Sequence, residues 1–413
     1  MRRTPGTPGT PVTTATTRTT VTAARTMARV GLFGAGITAA TMLAAQAPQA
    51  TAVVTVSNPL AIARPTETIE LSVADLRKAM TFDDVRRIHV RDDRGGRDLL
   101  TQAVDLDDNG TFELVVFQAD LGASERRTFT LSVGDRHIAT AAEYRAYGRF
   151  VRERRDDFVW ENDLVAHRMY GAALETWPLE PLTSSAVDVW VKRTPKLVAN
   201  DWYMTDDYHA DHGDGADLYS AGNTRGCGGN GVWANGALFP SANFRGSRVL
   251  ANGPIRVLFE LTYDVWDAGG QKLSEVKRIQ LDAGHRLNRF ESTYRVPAPR
   301  PLQQGAGIRK NAGADIAVRK DLGVLRTWEP FKDNMGFLGC AVLVDPRDLV
   351  DAPEANGSVL LVTRIAAGAP AVYYTGSAWD RGGNITTPAL WDAYLAGWAD
   401  RLRAPVVVTW TAR

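Results

Sequence analysis

The stretch Ile255-Arg-Val-Leu-Phe-Glu-Leu-Thr-Tyr-Asp-Val265 decides the fold class. Ile255, Val257, Phe259, Leu261, Tyr263 and Val265 occupy every second position, so an extended chain presents all six on one face, with Arg256, Glu260 and Asp264 on the other. One face is core and the other meets water. Residues 273–281 repeat this period, but there Leu273, Glu275, Lys277, Ile279 and Leu281 share a face, leaving two charges in an apolar row. Solvated edge charges account for that row, and so does a polar cluster on a concave sheet surface.

Similar short runs recur on both sides. They fall at residues 164–170, 187–192, 289–294, 339–344, 358–364 and 406–410, and, nearer the N-terminus, at 68–72, 87–91, 112–118 and 127–133, with Gly, Asn and Pro turns between them. Residues 388–402 give the one good helix: Pro388 sits in its first turn, Trp391, Tyr394, Leu395, Trp398 and Leu402 follow at helical spacing, and Pro405 lies beyond its end. So many strands and so few helices predict a mainly β chain. The expected division is a small β-sandwich-like region over 53–142, a charged helix-compatible linker at 141–157, and a large antiparallel sandwich filling 143–413. Asp105-Leu-Asp107-Asp-Asn109-Gly110 copies the opening of a calcium loop, but its twelfth position is Val116, so an acidic hairpin turn is the better account.

The first 52 residues read as export machinery. Arg25 and Arg29 precede an apolar run over 30–45, and Ala45-Gln-Ala47 and Ala50-Thr-Ala52 are small-x-small cleavage candidates; Met27 offers a second start. A secreted or periplasmic protein, with no membrane attachment after cleavage, is the expectation. The chain carries 48 Lys and Arg against 47 Asp and Glu, and removing the signal takes away five Arg and no acid. The mildly acidic remainder has no basic run to neutralise phosphates, which argues against a nucleic-acid partner. Export permits a disulfide between Cys227 and Cys340, which spacing alone does not decide.

Three segments concentrate reactive side chains. In 160–170, read as one strand, Trp160, Asn162, Arg168 and Tyr170 project from one side and Glu161, Asp163 and His167 from the other; aromatic faces beside amide and guanidinium donors suit a sugar, and so does a buried Trp beside an ion pair. In 202–219, Tyr208, His209 and His212 stand among Asp and Gly residues that break any helix, so a loop holds an imidazole base or acid and a phenol. A divalent metal on the two imidazoles with Asp211 or Asp214 is the weaker alternative, because His-x-x-His has no helix to fix its geometry. In 223–233, Arg225 and Cys227 lie among glycines; there is no phosphate-loop Lys and no Gly-x-Ser-x-Gly elbow, so no organic cofactor is expected and Arg225 is read as a carboxylate partner.

Trp160-Glu-Asn-Asp, Arg168-Met-Tyr-Gly, Tyr208-His-x-Asp-His-Gly, Thr224-Arg-Gly-Cys-Gly-Gly, the run from Arg248 to Arg256 and Glu275-Val-Lys-Arg, in that order, resemble the bacterial family known as domain of unknown function 4861. The resemblance runs from about residue 57 to residue 411. It implies a galactose-mutarotase-like supersandwich, a fold shared by sugar epimerases, glycoside hydrolase domains and polysaccharide lyases. It also implies a role in carbohydrate use, including dehydration of oligosaccharides at a terminal uronic acid. It transfers no catalytic assignment.

Elimination from a uronate needs a cation for the carboxylate, a base for the C5 proton and an acid for the departing oxygen. The sequence-based assignment gives these roles to Arg225 or Arg168, to His209 or His212, and to Tyr208 or the second imidazole. Trp160, Asn162, Arg168, Tyr170, Glu275 and Lys277 are expected to bind the oligosaccharide. Hydrolysis by a pair drawn from Glu161, Asp163, Asp211 and Asp214, epimerisation on the same fold, and sugar binding without catalysis are the alternatives.

Overall fold

The computed structural model describes residues 51–205 and 207–412, all within one compact unit. The signal segment, apart from Thr51 and Ala52, lies outside the described residues; those two open the first strand. Among the described residues no helix is long and apolar enough to cross a membrane.

Antiparallel sheets dominate, as the period-2 runs predict. One sheet orders Val407–Ala412, Thr51–Ser57, Arg126–Val133, Ile88–Asp92 and Arg97–Leu99, and it faces a three-stranded sheet of Arg64–Ser72, Leu114–Leu121 and Thr101–Val104. Val54, Ile69, Leu71, Phe117, Phe129 and Leu131 fill the space between them. The C-terminal strand thus belongs to the same sheet as the first strand, pairing Val54 with Trp410 and Val56 with Val408.

The larger body stacks an eight-stranded sheet on a six-stranded one. The eight-stranded sheet runs Gly246–Asn252, Arg256–Asp267, Lys272–Asp282, Leu287–Arg295, Ala371–Trp379, Phe337–Leu343, Val324–Pro330 and Asp315–Arg319. The six-stranded sheet is built on Cys227–Ala234, Leu302–Arg309 and Ser358–Ile365. Cys227 and Cys340 are joined across the two sheets by a disulfide, with Cα atoms 5.5 Å apart. On the outer side of the large sheet the helix Pro388–Arg403 seats Trp391, Leu395 and Ala399 against Trp328, Ala341 and Leu343, and the Thr387 hydroxyl caps it by accepting from the Leu390 N–H.

Two expectations change. The stretch 141–157 is a short turn of helix, Ala141–Glu143, followed by the strand Ala146–Val151. The face carrying Arg256 and Glu260 is only partly wet. Leu258 and Ile255 pack with Val104 and Val116 of the N-terminal sandwich, and Arg256 is buried in an ion pair with Asp282. Charges placed by pattern on the solvent side are covered where the smaller sandwich docks.

The site rests on a five-stranded sheet, Gly215–Ala216, Asp188–Lys192, Ala166–Tyr170, Asp157–Asn162 and Ala146–Val151. One face packs onto the large sandwich, with Phe158 stacked on Phe259 at 4.1 Å. The other face lies under the short helix Ala199–Thr205, whose second half falls within the stretch 202–219 that the sequence predicts as loop.

Candidate functional site

Residues 157–170 form a hairpin rather than one strand. Asn162 makes the turn: its Oδ1 accepts from the N–H groups of Leu164 and Val165, and its amide donates to the carbonyls of Asp282 and His285. The register pairs His167 with Trp160, Arg168 with Val159 and Tyr170 with Asp157. Directly opposed residues share a face, so Trp160 and Asn162 point away from Arg168 and Tyr170. This corrects the expectation of a common face. Trp160 is buried among Phe259, Phe290 and His167, with its indole N–H donated to Asn288 at 2.7 Å, and it offers no surface to a sugar. His167 is fully buried with neither ring nitrogen hydrogen-bonded, and burial pushes it down to about 3, so it stays neutral.

On the helix-covered face the polar side chains converge. The Arg168 guanidinium donates to Asp188 at 2.7 Å and to Asp217 at 2.8 Å, and lies 3.6 Å from Asp157. Tyr170 donates its hydroxyl to Asp188 at 2.6 Å, and Tyr203 donates to Asp157 at 3.1 Å. Trp190 and Tyr208, stacked at 5.2 Å, close the cluster from above. Three carboxyl groups around one buried guanidinium repel one another. Burial, opposed by Arg168, lifts Asp157 to about 7 and Asp217 to about 8. Burial also raises the Tyr208 phenol, so it keeps its proton.

His209 is where this cluster meets solvent. Its side chain is 67% exposed, and its Nδ1 sits 3.2 Å from the Asp217 carbonyl oxygen and 3.5 Å from Asp217 Oδ2. Its ring lies 4.6 Å from that of Tyr208. His212 turns elsewhere, to Asp207 at 2.9 Å, and is 70% exposed. The two imidazoles therefore address different carboxylates. Among the described residues, the three acid or imidazole groups whose donor atoms gather as a cation would require are Asp105, Asp107 and Glu113, in the acidic turn of the N-terminal sandwich. There the Asp105 carboxylate already accepts from the N–H groups of Asp107, Asp108 and Gly110.

The remaining expected site residues form a second cluster, sealed between the two large sheets. Asn230 is its centre, donating to Ser292, Tyr294 and Gln304 and accepting from Lys277 Nζ at 2.6 Å. Lys277 also pairs with Glu275 at 3.2 Å and lies 4.6 Å over the Tyr263 ring. Neither charge is a solvated edge group: Glu275 and Lys277 are both buried. Arg225 is buried too, donating to the Ser185 hydroxyl and the Asn230 carbonyl, and burial brings it down to about 10. Arg225 is thus held apart from solvent, which corrects its expected meeting with a substrate carboxylate beside His209.

The structure brings together Arg168, Tyr170, Tyr208 and His209. Sequence reading missed Asp157, Asp188, Asp217, Tyr203 and Arg154. An acid opening an apolar run, as in Asp188-Val-Trp-Val, was the available signal.

A match to the family described as "Domain of unknown function (DUF4861)" covers residues 56–408. The chain belongs to that family. A relative within reach of direct comparison is the "Uncharacterized protein P7" of Formosa agariphila, 32% identical over 394 residues, spanning 90% of this chain and 97% of the relative. Among solved structures, an α-mannosidase from Enterococcus faecalis V583 superposes with a TM-score of 0.47 at 9% identity, covering 88% of this chain and 46% of its own. A protein in glycosyl hydrolase family 38 from Enterococcus faecalis superposes with a TM-score of 0.48 at 10% identity, covering 88% and 48%. The chain spans about half the length of these two structures.

Proposed function

We propose that this member of the family is an exported carbohydrate-active enzyme of the carbon–oxygen lyase type, acting on uronic-acid-containing oligosaccharides by β-elimination. The observation that carries the reading is the exposed His209 imidazole backed by buried Asp217. Donation from Nδ1–H to the Asp217 carbonyl, 3.2 Å away, leaves the lone pair on Nε2, free to take a proton. Asp217 Oδ2, 3.5 Å from the same ring, sets a buried carboxyl beside the imidazole that takes the proton.

The chemistry balances with groups at hand. The C5 proton passes to His209 Nε2, the C4–O bond breaks with its electron pair on oxygen, and the Tyr208 phenol supplies the proton that this oxygen takes. Loss of water makes the enzyme a dehydratase and loss of a sugar alcohol makes it a lyase; the product in both cases is a 4,5-unsaturated uronate. Family membership supports this reading through the expected likeness to carbohydrate-active proteins, and the site supports it through an exposed imidazole whose ring lies 4.6 Å from that of Tyr208.

The test is to offer uronate-ended oligosaccharides to the purified protein and follow ultraviolet absorbance and reducing ends together. The wild type gains the absorbance of an unsaturated uronate, His209→Ala loses about 10²- to 10⁴-fold in rate, and His212→Ala keeps the activity. Reducing ends without absorbance would replace elimination by hydrolysis. An unimpaired His209→Ala would remove the base.

A further inference from the structure

An elimination from a uronate needs a cation for the carboxylate, and neither arginine expected for that role is free. Arg168 is held by three aspartates and Arg225 is sealed between sheets. Resting on the uronate reading above, we propose that Arg154, held over Trp177, receives the substrate carboxylate, and that Glu180 occupies its place until substrate arrives.

Arg154 lies in the turn between the strands Ala146–Val151 and Asp157–Asn162. The next two residues, Arg155 and Asp156, are both left-handed, with φ of 48° and 68°, a conformation that side-chain-bearing residues rarely adopt. The turn is locked in place from below. The Asp156 carbonyl oxygen lies only 2.1 Å from where a Cβ on Gly171 would stand, and Asp156 Oδ2 accepts from the Ala173 N–H. Gly171 directly follows Tyr170, so the turn is fixed to the strand that carries Arg168 and Tyr170.

The guanidinium sits 5.0 Å over the Trp177 ring, and its side chain is 10% exposed. Its Nε is buried with no hydrogen-bond partner, an unmade bond that an arriving carboxylate oxygen can make. Its ion-pair partner, Glu180, is 52% exposed and stands in the irregular stretch after the helical turn Ala172–Thr176, so the carboxylate now on Arg154 is the more solvated of the two. The charge of Arg154 also reaches Asp157, Tyr208 and Asp217, so it belongs to the electrostatics of the Arg168 cluster. A planar cation with an unpaired N–H and a solvated carboxylate that a second carboxylate can replace together describe a receptor for a sugar-borne carboxylate.

Calorimetric binding of a uronate-ended oligosaccharide and of its carboxyl-reduced neutral counterpart, in a His209→Ala background so that nothing is consumed, tests this directly. The acid form is expected to bind more tightly than the neutral one. Arg154→Ala should weaken the acid form by about 10- to 100-fold and leave the neutral form unchanged. Arg154→Lys should recover part of the loss, and Glu180→Gln should tighten the acid form. Equal binding of acid and neutral forms, or equal loss of both in Arg154→Ala, overturns the inference. An Arg154→Ala enzyme with wild-type KM and product absorbance overturns it while leaving elimination standing. Acid preference that depends on Arg154 without any absorbance leaves the receptor standing and removes elimination.

Discussion

Two polar clusters lie inside this protein, and they are built from much the same parts. One gathers Arg168, three aspartates and three tyrosines under the helix Ala199–Thr205; the other gathers Arg225, Lys277, Glu275, Asn230 and several hydroxyls between the large sheets. The first reaches water through His209, while every charge of the second is buried. The first also carries more carboxyl groups than its cation can neutralise, and so holds protons. The second has two cations for one carboxylate, and burial disfavours the charge on Lys277 and Arg225. What separates a place for chemistry from a place for cohesion is the path to solvent, which no count of charged residues reveals.

The comparison is broken most severely through the cross-link beside the sealed cluster. Cys227 opens the strand that carries Asn230, and its disulfide to Cys340 closes 113 residues of chain. Cys340→Ser should cost about 4–5 kcal/mol of unfolding free energy in the chain-entropy account, read by urea denaturation. Next comes the sealed cluster itself. Glu275→Ala leaves Lys277 and Arg225 without their carboxylate and should cost about 3–5 kcal/mol, whereas Glu275→Gln with Lys277→Met should recover much of it. A Glu275→Ala protein as stable as wild type would show that the sealed cluster is open to water after all.

A pH titration of stability sharpens the contrast. Asp157 and Asp217 keep their protons in the folded protein up to about pH 7 and 8, while the unfolded chain loses them near the ordinary value of 3.8. Between these limits the folded state binds more protons, so stability falls as pH rises from about 4 to about 8 and levels off above. The Tm should drop by several degrees across that window, and Asp217→Asn should flatten the curve. A Tm that rises through the same window would mean that both carboxyls are ionised in the fold.

Much of the fold was legible because its rules are local. The alternation in Ile255–Val265 is realised from Val257 to Tyr263, while Ile255 packs with Leu258 on the other side and a register shift after Tyr263 leaves Val265 exposed; Pro388 with its helical spacing marks the helix Pro388–Arg403. The faces were less legible wherever a turn reversed them. Asn162 closes a hairpin through its own side chain, and reading through it put Trp160 on the wrong side of the sheet. A glycine- and aspartate-rich loop singles out His209 and Tyr208 in the sequence, and the structure sets both beside the Arg168 cluster. Arg225 and Arg168 were indistinguishable, since their difference lies in neighbours 30 or more positions away, such as Asp217 for Arg168 and Ser358 for the Arg225 backbone.

The union of Thr51–Ser57 with Val407–Ala412 has a consequence for biosynthesis. An edge that the smaller sandwich needs arrives only with residues 407–412, so a growing chain carries Thr51–Ser57 with one flank unzipped through nearly all of translation. Premature stops before residue 407 would therefore strand that flank, together with the apolar surface that Val406, Val408 and Trp410 cover, as a sticky margin for self-association.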